Sequence, residues 1–307
     1  MRNEKNLGII AVLAAGCSWG ATGVFVRFFD GLGYSPSTIV FTRVFLALLI
    51  MLVALFLTKK LYLLKIRLKD LWCIAGAGIS SGVLINIFFS MSTVMNTLAL
   101  AAVLLATAPI FVVLLSKPIF GEKITKIKII SLIIAFIGCV LVSGVVDSEA
   151  IFSPFGVFIG LLAGLGYATY SIMTRFALNR GYGSLTINTY SFGVSALINC
   201  PFTNFALIAI TISNAPGQMI FMLILHTLFV ALIPYMLFTY GMKFMDTGKA
   251  SILSSVEPVA AAVFGFAFYR EIPTVICTIG IILVLFALIL LNYKKSKPEN
   301  VSNISQK

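Results

Sequence analysis

Glu257 is the residue whose type and position most demand a chemical reason. It lies eight residues into an apolar run that begins at Lys249, next to Pro258 and just after Ser251, Ser254 and Ser255. A carboxylate in such surroundings costs several kcal/mol unless it is paired, protonated or hydrated. Proline has no N–H to give to a helix, so Pro258 frees a backbone carbonyl one turn earlier. Carboxylate, hydroxyls and a free carbonyl together make a polar pocket. That pocket could pass a proton or meet a cationic group; the plainer reading is a structural glutamate bonded to another helix. Arg43 is the other clear charge inside an apolar run. It could snorkel outward, pair with Glu257 as a gate latch, or bind an anionic group. His226, the one histidine, also lies mid-run. Its side chain titrates near neutrality and could relay protons, although a lone buried histidine more often makes an interhelical hydrogen bond.

Neutral polar and aromatic residues recur at helical spacing. Gly78, Gly82, Asn86 and Ser90 follow one another every four residues; Ala163, Tyr167, Tyr170 and Thr174 share a face, as do Asn188, Ser191, Ser195 and Asn199. Trp19 and Thr22 belong to the first apolar run. Polar side chains in such runs turn away from lipid. For Gly78, Gly82 and the Gly156–Gly160–Gly164 ladder the expected role is close helix packing. For Trp19, Thr22, Asn86, Ser90, Tyr167, Tyr170, Asn188, Ser254 and Glu257 it is lining a central cavity suited to a small, amphipathic, weakly charged solute. Glu257, Arg43 and His226 are the candidates for coupling or gating, and Pro109 and Pro258 for breaking their helices. Tyr235 and Tyr240 read as interface anchors.

These residues need helices in lipid around them. Of the 307 residues, 60% are hydrophobic and 10% charged, and mean hydropathy is +1.08. Soluble domains carry about 25% charge, so a soluble enzyme, a nucleic-acid-binding module and a disordered chain are excluded. The five cysteines fall inside apolar runs without a C-x-x-C pair, which argues for apolar filling rather than disulfides or a metal site. No ATP-binding loop, metal cluster or nucleophile–base motif is present. No cofactor, metal or enzymatic activity is expected, and transport would run on a gradient. Arg2, Lys5 and the stretch ending Ala14-Ala15-Gly16-Cys17 resemble a lipoprotein signal, but the apolar run continues to Phe29.

Ten runs are long enough to span a bilayer: 7–26, 36–57, 71–91, 98–116, 127–146, 155–174, 184–203, 218–238, 249–269 and 273–292. Only the stretch 204–217 and the tail from Lys294 interrupt this pattern noticeably. With the N-terminus in the cytoplasm, 19 of the 22 Lys and Arg fall on the inner side, Arg27 and Arg270 on the outer side, and Arg43 within a run. That split follows the positive-inside rule and places both termini in the cytoplasm. Asp147 and Glu149 then sit in an outer loop free of basic residues, and the Asn300 sequon falls in the inner tail.

At a shift of 148, Gly8 falls on Gly156, Gly16 on Gly164, Trp19 on Tyr167, Thr22 on Tyr170, Arg27 on Arg175, and Gly33-Tyr34 on Gly181-Tyr182. At 149, Pro109 falls on Pro258, Phe120 on Tyr269 and Glu122 on Glu271. The expected architecture is therefore an all-α integral membrane protein of two five-helix repeats, residues 1–150 and 151–293, with a polar cytoplasmic tail 294–307. Five is odd, so the repeats have inverted topology, a device of secondary transporters.

The chain resembles EamA-type members of the drug/metabolite transporter superfamily. The resemblance rests on Trp19-Gly20, Thr42-Arg43, Ala108-Pro109-Ile110-Phe111 running to Phe120-Gly121-Glu122, and Glu257-Pro258-Val259 running to Tyr269-Arg270-Glu271, where Arg270 replaces the usual glycine. It implies a ten-helix plasma-membrane carrier of small metabolites, often an exporter, acting as monomer or homodimer. Its partners would be a small-molecule substrate and the lipid bilayer, with no nucleic acid. The substrate reads as an amino acid or related solute. Multidrug or cation efflux is the alternative within the fold, and an intramembrane enzyme or channel the alternative outside it.

Overall fold

The structure is a computed structural model that describes residues 2–96, 98–143, 145, 153–270 and 272–292. Asp147, Glu149, Glu271 and the tail with Asn300 lie outside the described residues, as does the side chain of Ser90. All regular structure among the described residues is helical. The main helices are α1 (Glu4–Asp30), α2 (Pro36–Leu57), α3 (Leu68–Phe89), α4 (Ala101–Phe120), α5 (Lys126–Val142), α6 (Pro154–Asn179), α7 (Ser184–Phe202), α8 (Phe205–Asn214), α9 (Pro216–Gly241), α10 (Thr247–Tyr269) and α11 (Val275–Asn292).

Seven of these are long and apolar enough to cross a membrane: α1, α2, α3, α4, α6, α9 and α10. An eighth crossing is reached if α7 and α8, bent by 95°, form one span. The apolar part of α11 has no more than 17 residues and α5 has 17. At 1.5 Å per residue that is about 25 Å, short of a hydrocarbon core of about 30 Å. These two helices cross at glycines: a Cβ on Gly138 would come within 2.9 Å of the Gly280 carbonyl oxygen, and one on Gly280 within 2.7 Å of that of Gly138. The stretch 204–217, which the sequence presents as a gap, contains α8. Its sequence is apolar, the Asn204 side chain caps it by accepting from the Leu207 N–H at 3.0 Å, and Pro216 begins the next helix.

The helices start where sequence chemistry says they should. Ser35 caps α2 and Ser153 caps α6, each followed by proline at the first helical position, and Thr125 caps α5; side-chain oxygens there satisfy amides that have no partner inside the helix. The irregularities recur at one spacing. Gly33 (φ 83°) and Gly181 (φ 87°) are left-handed, 148 residues apart; so are Gly121 (φ 67°) and Arg270 (φ 57°), 149 apart, each ending its helix. Wide π-turns interrupt α3 at Ser80–Ile85 and α9 at Thr227–Leu232, 147 apart. α4 breaks between Leu105 and Ala108, and α10 between Ser254 and Glu257, each just before its proline.

Packing is close where α1 meets the break of α10 and where α6 meets the break of α4. A Cβ on Gly16 would lie 2.6 Å from Val256 Cγ1 and 3.0 Å from the Ser254 carbonyl oxygen; one on Gly164 would lie 2.7 Å from Thr107 Oγ1 and 3.0 Å from the Leu104 carbonyl oxygen. Gly16→Val is therefore expected to destabilise the protein by about 1–3 kcal/mol, since overpacked cores cost that much. Thermal unfolding in detergent measures it. Gly217→Ala, with open space around its Cβ, is the control expected to leave the midpoint unchanged.

Candidate functional site

The broken helix α10 presents Glu257 in the first turn of its second half, where the positive end of a helix favours a carboxylate. Glu257 lines two adjoining lobes of one cavity, about 390 and 360 Å³ in volume, which also share Arg27, Phe89 and Tyr167. Among the described residues its carboxylate has no hydrogen-bond or ion-pair partner.

Around the first lobe stand Trp19, Thr22, Arg43, Asn86, Tyr167 and Tyr170. The second lobe brings in Ser254, Ser255, Pro109 and Pro258. The aromatic rings are locked edge to face: Trp19 lies 6.2 Å from Tyr167 and 5.3 Å from Tyr235, and Tyr170 lies 5.4 Å from Tyr235. Such geometry sets the positive ring edges against the negative faces. The Tyr167 hydroxyl and Ser254 Oγ share a hydrogen bond of 3.0 Å, and Ser254 donates to the Ser251 carbonyl at 2.8 Å. The Thr22 hydroxyl donates to the Trp19 carbonyl.

Arg43 does not pair with Glu257. Its Nη2 donates to Asn86 Oδ1 at 3.0 Å, and Asn86 in turn donates to the Ser81 carbonyl within the π-turn of α3. A π-turn leaves carbonyls without their usual partner, so this bond orients the amide and leaves its oxygen for the guanidinium. Two candidates sit elsewhere. Asn188 is fully buried and donates to the Tyr235 carbonyl at 3.1 Å and to Thr239 Oγ1 at 3.3 Å, so it staples α7 to α9 instead of lining the cavity. His226 packs against Phe25 and Phe29, with ring centroids 5.3 and 5.1 Å away. Neither of its nitrogens has a partner among the described residues.

Three lining residues are not evident from the sequence. Tyr235 reads as an interface anchor, yet it lines the cavity, just after Pro234 and the π-turn that precedes it. Arg27 reads as an outer-side residue and lines both lobes; its guanidinium lies 4.7 Å from the centre of the Tyr269 ring, a cation–π contact. Tyr269 itself lines the first lobe and donates to the Val24 carbonyl at 3.3 Å.

At the opposite ends of the same helices a polar cluster joins α4 to α10. Glu122 accepts from the N–H groups of Thr247, at 2.6 Å, and Gly248, at 3.1 Å. Lys128 lies 3.6 Å from Glu122 and 3.5 Å from Asp246. Arg175 donates through Nε to Thr247 Oγ1 at 2.8 Å and through Nη2 to the Met245 carbonyl. Burial alone would push the Glu122 carboxyl up. The Gly248 and Thr247 amides, the Thr247 hydroxyl and the Lys128 ammonium outweigh it and hold the group below the usual carboxylate range.

Comparison with known proteins agrees with this architecture. A solved crystal structure superposes with a TM-score of 0.74 over 93% of this chain and 96% of that one, at 16% identity, so the fold is shared. An uncharacterized transporter of Archaeoglobus fulgidus is 27% identical over 59% of this chain, and the uncharacterized transporter YxxF of Bacillus subtilis 29% identical over 64%. Those two matches span 62% and 61% of the relatives' own length. The uncharacterized transporter YyaM of Bacillus subtilis is 25% identical over 93% of both chains. The profile of the EamA-like transporter family matches residues 6–144 and again residues 154–293. Matched along nearly its whole length, the chain is a multi-pass membrane protein that belongs to the EamA-like transporter family.

Proposed function

We propose that the chain is a secondary active transporter of the plasma membrane that exports small amphipathic solutes, amino acids or related metabolites, by alternating access around the Glu257 cavity. The observation that carries this reading is the cavity itself: a carboxylate without a partner among the described residues, at a helix break, walled by Trp19, Tyr167, Tyr170 and Tyr235. The lining carries two cationic side chains, Arg27 and Arg43, against Glu257, so its net charge is small and a multiply anionic solute would find few counter-ions.

The reading includes ten crossings, both termini in the cytoplasm, and inverted repeats of five helices in 1–150 and 151–293 followed by the tail 294–307. Support comes from reciprocal packing. Gly8 abuts Phe244 as Gly156 abuts Asn96, and Gly16 abuts the break of α10 as Gly164 abuts that of α4. Each half thus inserts its first helix against the broken helix of the other, the arrangement that lets two halves exchange conformations. α5 and α11, which cross each other, would be the shorter spans; membranes accommodate short spans by local thinning.

The test is flux in proteoliposomes, guided by a metabolite survey of medium and cytosol after overexpression. Saturable counter-transport of amino-acid-like solutes is expected, with little movement of polyanions. A preference for polyanionic solutes, or flux that does not saturate, would overturn the reading. Cation efflux is the second reading, since an unpaired carboxylate among aromatic rings also suits an ammonium group. Competition by organic cations that carry no carboxylate decides between the two.

A further inference from the structure

The two ends of the cavity are built differently. The lining of the first lobe runs to the C-terminal ends of α1 and α10, at Arg27 and Tyr269. The lining of neither lobe includes Glu122, Lys128, Arg175 or residues 245–248 at the other end. There the end of α4 and the starts of α5 and α10 are tied together through one carboxylate, and Arg175 ties α6 to the same start of α10. Glu122 and Lys128 keep only 8% and 6% of their side chains exposed, so this is no loose surface pair. Glu122 also satisfies two backbone amides that start α10, which have no partner within a helix. Charge-assisted bonds to backbone N–H groups are about twice as strong as neutral ones.

From this we infer that Glu122 is the pin of a latch that closes the cytoplasmic entrance to the cavity, and that the structure is the outward-facing state. The inference rests on the proposed orientation, in which Lys123, Lys126, Lys128, Arg175 and Lys243 face the cytoplasm. When the site turns inward, the start of α10 must leave Glu122, and Thr247 must leave Arg175. The repeat also differs in sequence between the two ends. At a shift of 149 the counterparts of Lys128 and Asp246 are Cys277 and Thr97, neither charged. The two ion pairs of Lys128 therefore have no charged counterpart at these repeat positions, which favours closure at the cytoplasmic end.

The test places a single cysteine, Ser255→Cys in the second lobe, in a chain whose five native cysteines are replaced. Vesicles of known orientation receive a membrane-impermeant maleimide on one side at a time. The parent should label from the outer side and only slowly from the inner side. Glu122→Ala should raise the inner-side rate roughly tenfold or more, as expected when charge-assisted bonds to a helix start are lost. Glu122→Gln and Lys128→Met should raise it less. If Glu122→Ala does not fold, those two milder variants decide. Normal outer labelling with an unchanged inner rate in all folded variants overturns the latch. Labelling of the parent from the inner side alone overturns the orientation, a different pattern from failure of the latch, and neither depends on knowing the substrate.

Discussion

Glu257→Gln is expected to abolish the pH dependence of net flux while leaving exchange of substrate for substrate measurable. The argument starts from what surrounds the carboxylate. It faces the cavity, has no partner among the described residues, and stands in the first turn after the break in α10. A group so placed must change its charge or its partner for the occupied site to move, because an uncompensated charge in the membrane interior is costly. In the proposed cycle a proton or a substrate ammonium neutralises it, and competition between them would couple one movement to the other. Glutamine keeps the shape and the polarity but cannot carry the proton. Net flux driven by a pH gradient should fall about tenfold or more, and exchange should fall far less. Arg43→Gln separates this mechanism from a Glu257–Arg43 gate. Arg43 is bonded to Asn86 at 3.0 Å, so its loss should disturb α2 and α3 without reproducing the Glu257→Gln phenotype. Matching defects in both variants would favour the gate. A Glu257→Gln protein with normal flux and normal pH dependence but lower thermal stability would leave the residue a structural role alone.

Much of this site is legible in the sequence, for a physical reason. In lipid a polar or charged residue needs a purpose, so Glu257, Arg43, Asn86, Tyr167 and Ser254 stand out against apolar neighbours. The structure places all five on the cavity wall. Periodicity placed Trp19 and Thr22 as well, through their counterparts Tyr167 and Tyr170. Asn188 shows where such reasoning stops. Its stripe with Ser191, Ser195 and Asn199 does face inward, but towards α9 and α3 rather than towards the cavity. A polar stripe says that a face avoids lipid; it does not say whether water or another helix covers it. His226 meets the same limit. Its ring packs against Phe25 and Phe29, and sequence alone does not separate packing from a chemical role.

The backbone irregularities were partly visible. Proline announced the breaks in α4 and α10, since each follows the last residue that can hold a normal helix bond. Nothing in Ser80–Ile85 or Thr227–Leu232 announced a π-turn, because one inserted residue leaves no compositional trace. Those turns matter: one orients Asn86 toward Arg43, and the other precedes the segment that turns Tyr235 into the cavity. The Glu122 cluster was hidden for another reason. Its partners are backbone amides 125 and 126 residues away, and no side-chain pattern encodes a backbone contact.

Trp19→Ala is expected to raise the KM for exchange roughly ten- to hundredfold. Trp19 is 7% exposed and forms the corner at which three rings meet, touching Tyr167, Tyr235 and Phe238. Each aromatic pair is worth about 0.5–1.5 kcal/mol beyond the area it buries, and truncating a large buried ring costs about 3–5 kcal/mol. Only part of that cost falls on binding, because some of it destabilises the empty protein; about 1.4–2.8 kcal/mol is the tenfold to hundredfold range. The loss should fall on KM more than on the maximal rate, since the ring shapes the pocket and takes no charge through the cycle. Trp19→Phe keeps an edge for Tyr235 and should stay within about threefold of the native protein, a loss of less than 1 kcal/mol. Saturation curves for counter-transport in proteoliposomes, read beside thermal unfolding midpoints, separate the two contributions. If Trp19→Ala lowers the midpoint while its KM stays native, the aromatic wall supports the fold and the solute binds elsewhere in the cavity. If KM rises for Trp19→Ala and is near native for Trp19→Phe, the wall that Trp19 builds with Tyr167, Tyr170 and Tyr235 is the surface on which the solute's apolar body rests.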